Sequence, residues 1–202
     1  MGPTLRELCP KSGLERVPQP PREDIRMTDV ALGLRWYAVH VRHQHENQAE
    51  RLLRMQGFET LAPMYRSQRQ WSDRVKEIEL PLFPGYVFCR FGRDQRIRVE
   101  DTPGVVQVVK FQGQPAAVED YEIADIQAMV ASRVRLTPWP YLKAGDRVRV
   151  ERGPLRGLEG TLLRGTDGTR LVVSVELLQR SIAAEMDPEM VAPIRAMAAG
   201  AR

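Results

Sequence analysis

The chain has 202 residues, 43% hydrophobic and 28% charged, with a formal net charge of +4. This suits one domain or two small ones of ordinary globular composition. No apolar run is long enough for a membrane helix and no apolar leader opens the chain, so a helical membrane protein is excluded and the cytoplasm is the expected compartment.

Residues 1–34 carry five basic and five acidic side chains and a Pro18, Pro20, Pro21 cluster, a composition expected of a mobile tail. Met27 offers a second possible start. Residues 35–41 alternate Trp36, Ala38, His40 against Tyr37, Val39, Val41, which predicts a strand. Residues 45–56 predict a helix, with Ala49, Leu52, Leu53 and Gln56 on one face and Gly57 as its stop. Residues 58–65, 75–80 and 86–91 read as strands, the last two separated by Pro81 and Pro84. Between them Arg66, Arg69, Arg74 and Lys76 surround Trp71. The whole positive excess lies in residues 35–110, with thirteen basic against nine acidic side chains.

Residues 92–101 predict a surface loop or loose helix, and 105–111 a strand entered by Pro103-Gly104. Residues 118–132 predict a helix, acidic in its first turn, with Ile123, Ile126 and Val130 as the apolar face. This order implies α+β architecture: an N-terminal antiparallel sheet flanked by helices over residues 35–133. Residues 134–144, with Pro138-Trp139-Pro140, are expected to be a linker. Short strands around 148–150, 160–163, 171–175, 182–184 and 190–193 then predict a small five-stranded barrel over 145–195, followed by a tail at 196–202.

Two motifs carry the functional reading. Phe83-Pro84-Gly85-Tyr86 puts an aromatic on each side of a Pro-Gly bend, and Trp36-Tyr37 precedes it. Gly145-Asp146-Arg147-Val148-Arg149-Val150, followed by Gly153-Pro154-Leu155-Arg156-Gly157-Leu158-Glu159-Gly160, makes a strand, a turn and a tight return. Read as residues, the first is a strand entry packed by aromatics, and the second an SH3-like barrel segment that binds RNA or protein.

In this order the motifs resemble the NusG family of transcription elongation and antitermination factors, an NGN domain followed by a KOW domain, over residues 35–194. The resemblance implies RNA polymerase as partner. Tyr37, Phe83, Pro84, Gly85 and Tyr86 would seat the clamp helices, and Gln95 and Arg96 would approach the gate loop. It also implies contact with non-template DNA in the transcription bubble, through Arg42, His43, Arg66, Arg69, Trp71, Arg74 and Lys76. Basic side chains beside an aromatic suit single strands in any case. The KOW domain would take a small-subunit ribosomal protein or Rho through Leu155, Arg156 and Leu158, although the two leucines equally suit barrel closure. Details near Trp71 and Leu82 are similar to specialised, operon-directed members.

A monomer without membrane contact is expected. A ribosome- or RNA-binding KOW protein that never touches polymerase is the alternative. No enzyme is expected, because GxSxG, HExxH and P-loop patterns are absent. Nor is a metal or other cofactor: a strand would splay His40 from His43 and His45, and no carboxylate cluster joins them. Cys9 and Cys89 form no CxxC and are expected as free thiols.

Overall fold

The computed structural model describes residues 33–70, 75–140, 145–165 and 168–194, with the side chains of 68–70, 75, 76 and 165 left undescribed. The expected tails, apart from Gly33 and Leu34, lie outside these residues, as do Cys9, Trp71 and Arg74.

The first unit is built on β1 (Arg35–Val41). Along one edge it pairs antiparallel with β5 (Tyr86–Phe91), Trp36 opposite Arg90 and His40 opposite Tyr86. β2 (Glu59–Leu61) continues the sheet beyond β5. On the other edge β6 (Val105–Val108) and β9 (Ala117–Val118) share β1 between them. β3 (Met64–Gln70) and β4 (Val75–Pro81) form a separate hairpin, and β7 (Lys110–Phe111) with β8 (Gln114–Pro115) a shorter one.

Strand alternation gives this sheet two apolar faces. Tyr37, Val39, Val41, Val87, Cys89 and Phe91 pack with Ala49 and Leu53 of α1 (Glu46–Met55) and Val99 of α2 (Arg96–Glu100). Helix α1 forms where expected, and Gly57, at φ +91°, turns the chain so that Phe58 N–H reaches the Leu53 carbonyl at 3.2 Å. Of the loop or loose helix expected at 92–101, the helix forms: a 3-10 turn (Arg93–Gln95) runs into α2.

On the opposite face Trp36, Ala38 and Phe88 pack with Ile123, Ile126 and Met129 of α3 (Asp120–Ala131). Val130, expected on the apolar face, is 37% exposed, and Met129 takes its place. The 3-4 spacing from Ile123 and Ile126 admits either residue, and packing selects Met129.

The second unit is one antiparallel sheet in the order β10-β14-β13-β12-β11-β15. Its strands are β11 (Asp146–Val150), β12 (Glu159–Gly165), β13 (Gly168–Val175), β14 (Arg180–Glu185) and β15 (Val191–Pro193), as expected, and one more. The addition is β10 (Leu136–Pro140), inside the segment expected as linker. The sheet coils round Val148, Val150, Leu162, Leu171, Val173, Val175 and Ile182. Its end strands, β10 and β15, are not paired with each other, and the coiled sheet encloses its core as the expected small barrel does. Gly160 is required in β12, opposite Val148: a Cβ there would stand 2.8 Å from the Val172 carbonyl.

Candidate partner-docking face

The Phe83 bend is a type II turn. Tyr86 N–H donates to the Phe83 carbonyl at 3.0 Å, with Pro84 and Gly85 in the corner positions and Gly85 at φ +83°. The free N–H of Gly85 donates to the Glu46 carboxylate at 2.8 Å, and the Gly85 carbonyl accepts from Val41 N–H at 2.9 Å. Glu46 is a buried carboxylate in the first turn of α1, where the helix dipole favours negative charge. Sequence reasoning missed it, since an acidic residue at a helix start has a sufficient local explanation. Tertiary burial gives it this second task.

The candidate residues do not form one surface. Phe83 is 1% exposed and meets Phe88 edge-on at a centroid separation of 5.3 Å. Tyr37 belongs to the opposite face of the sheet, stacked on Phe91 at 4.5 Å under the two helices. It therefore cannot share a face with Phe83, and Trp36 occupies the position expected of it. Tyr86 is half-buried, Gly85 half-buried and Pro84 exposed.

The second unit packs against this side of the sheet. Phe83, Leu82 and Trp36 share one apolar cluster with Leu136, Val148, Ile182 and the partly buried Leu177 and Leu178. The β13–β14 turn reaches across: Glu176 N–H donates to the Glu122 carboxylate of α3 at 3.0 Å. The Arg180 guanidinium lies 5.3 Å from the Tyr86 ring, and His40 flanks that ring at 5.5 Å. A cleft of about 490 Å³ remains between Leu82, the Pro138-Trp139-Pro140 segment and residues 179–181. Burial pushes the Glu122 carboxyl above the usual carboxylate range, and the N–H donated by Glu176 opposes that shift.

The remaining candidates scatter. Gln95 accepts from Gly92 N–H at 3.1 Å, and Arg96 pairs with Glu100 at 3.5 Å, so both serve the corner they sit in. Arg42 and His43 are exposed in the turn before α1. Arg66 is exposed, opposite Glu79 in the β3–β4 register and 3.9 Å from Glu77, so acid dilutes its charge. Arg69 and Lys76 stand directly opposite one another in the same ladder. In the second unit Leu155 and Leu158 are buried and close the core, while Arg156 is exposed. The two leucines thus take the barrel-closing role and offer no apolar contact surface.

Cys89 is buried and free, its thiol pushed up to about 12 by burial and by the Glu59 carboxylate. Among the described residues no group of His, Cys, Asp and Glu could hold a metal ion, and no helix is long and apolar enough to cross a membrane.

Residues 34–127 match the family model described as transcription termination factor nusG. A transcription termination/antitermination protein NusG from Lactococcus lactis is 27% identical over 155 residues, covering 74% of this chain and 80% of that protein. Among solved structures, one described as domain interaction in Thermotoga maritima NusG aligns with a TM-score of 0.50 and 21% identity. That alignment covers 80% of this chain and 97% of the other, and supports the fold.

Proposed function

Since the chain belongs to the NusG family of transcription termination/antitermination factors, we propose that it binds RNA polymerase through the sheet face that bears Trp36, Phe88 and the Phe83-Pro84-Gly85-Tyr86 turn. The partner element is a helical tip, the polymerase clamp helices, docked into an aromatic surface as amphipathic helices dock into apolar grooves. Gln95 and Arg96 border the approach to the gate loop. Bridging the cleft favours the closed clamp, which reduces pausing or termination; the chain does no chemistry of its own.

The observation that carries this reading is the turn itself. Its Gly85 corner is held by α1 through Glu46, its Phe83 ring meets Phe88 edge-on, and it lies within the matched residues. With the second unit packed against this side of the sheet, the described arrangement is a closed form, so polymerase binding requires the units to part. The β3–β4 hairpin, with Arg66, Arg69 and Lys76, borders the non-template strand, with Arg42 and His43 as further phosphate contacts. The exposed Arg156 side of the second unit is left for a ribosomal protein or Rho. The affinity of the chain for an operon-directed role rests on the hairpin sequence around Trp71.

The test is binding of the full chain to purified core RNA polymerase. Phe83→Ala is expected to weaken binding by about 2 kcal/mol or more, as loss of a buried aromatic anchor does. Unchanged affinity would overturn the assignment of this face. Capture of ribosomes in the absence of polymerase would favour the ribosome-binding alternative.

A further inference from the structure

We infer that β10 is a release strap: the second unit leaves the Phe83 face by unzipping β10 from β14, with the rest of its sheet intact. This rests on the reading of that face as a docking surface, and it begins from how β10 is paired.

The register runs from Leu136 opposite Ala184 to Pro140 opposite Arg180. Glu185 N–H donates to the Arg135 carbonyl at 3.3 Å, which sets the phase of the ladder. In antiparallel pairing only alternate residues turn their backbone groups toward the partner. Thr137 and Trp139 share the phase of Arg135, so Pro138 and Pro140 fall on the outward positions, where a missing N–H costs nothing. The same prolines blunt the outer edge against further pairing. Side-chain anchoring is light: Leu136 is buried, Trp139 is half-buried with the Arg170 guanidinium 5.1 Å from its ring, and the prolines are exposed. The strap lines the cleft whose other wall includes Leu82 of the first unit, so it borders both bodies it joins.

Chain length makes the strap decisive. From the end of α3 at Ala131 to Leu136 there are four intervening residues, and to Asp146 at the start of β11 there are fourteen. Fully extended, these span about 14 Å and about 50 Å respectively, at roughly 3.3–3.6 Å per residue. A docking helix is itself about 10–12 Å across. With β10 zipped, the tether lets the second unit pivot near Arg133, which already sits at φ +58°, but leaves little room for a helix beside it. With β10 released, the unit clears the face entirely. Closure and strap pairing are therefore one equilibrium.

Two variants of the full chain, both in a Cys9→Ser background, test this. Thr137→Pro removes a ladder N–H at an inward position, and a Leu82→Cys reporter, buried in the closed form, reads opening by its rate of thiol labelling. Cys89 is buried with its thiol pushed up to about 12 and stays silent. Thr137→Pro is expected to raise the labelling rate about tenfold while amide exchange of β12 and β13 is unchanged. An unchanged labelling rate overturns the strap. Thr137→Cys with Ala183→Cys, directly opposed in the register, locks it in the converse experiment. The oxidised form is expected to bind core polymerase at least about tenfold more weakly than the reduced form. Equal affinities of the two forms also overturn the strap. Raised labelling in Thr137→Pro, together with no polymerase binding by the unmodified chain, would sink the docking reading and leave the strap standing.

Discussion

The two faces of the first sheet are equally apolar and equally dry, yet they are sealed differently. The Tyr37 face is covered by α1 and α2, elements tied to the sheet by loops of a few residues and by Glu46. The Phe83 face is covered by α3 and then by a second unit, held by Glu122, Arg180 and the β10 strap. Burial by a neighbour in sequence is permanent core. Burial by a separate unit, through one shared apolar cluster and a few polar contacts, is the lid proposed above, and exposure values alone do not tell the two apart.

Substitutions separate them. The largest effect is expected from Phe91→Ala on the permanent face, about 3–5 kcal/mol of unfolding free energy in urea melts. A loss as small as that of Phe83→Ala would erase the distinction. Phe83→Ala is expected to cost about 1–2 kcal/mol, below the usual range for a core Phe, because the open form already surrenders the second unit's contacts. Gly85→Ala forces a side chain into the left-handed region and is expected to cost about 1–2 kcal/mol, read in the same melts. It also loosens the Glu46 contact, so polymerase binding falls with it.

The smallest effect comes from Glu122. Its carboxyl is raised in the closed form, mainly by burial, so the closed form binds protons more tightly than the open one. Closure is accordingly favoured below the ordinary carboxylate value and weakens as pH rises through the raised one. Glu119, Glu176 and Arg147 lie near the same spot: burial and then the Glu122, Glu119 and Glu176 carboxylates push Tyr121 up, and the arginine opposes them. Glu122→Gln keeps an acceptor for Glu176 N–H and removes the charge. Labelling of the Leu82→Cys reporter at neutral pH is expected to slow about two- to fivefold relative to the chain that keeps Glu122, both read at the same pH. A faster rate would mean that the charge holds the lid shut.

Much of this was legible in the sequence. Alternation located β1 and β5, the 3-4 spacing located α1 and α3, and glycine and proline marked the Phe83 turn and the β11–β12 return. The failures share a cause, in that each depended on what packs from far along the chain. Tyr37 and Trp36 are adjacent aromatics, and only the position of α1 decides which faces away from Phe83. Pro138-Trp139-Pro140 looks like a linker because two prolines forbid a central strand, and only the register puts both nitrogens on an outer edge. Leu155 and Leu158 look like contact residues in a turn, and the coil of the second sheet draws them inside. That the Phe83 side of the sheet would be packed by residues some ninety positions later has no local signature.

The Phe83 turn is held from behind, by a helix that stays whether the lid is on or off. Nothing has to be built when the lid lifts, so the encounter carries no ordering cost at the turn. The association rate should therefore climb with polymerase concentration and then level off at the frequency with which the lid opens, a plateau that stopped-flow mixing can read directly.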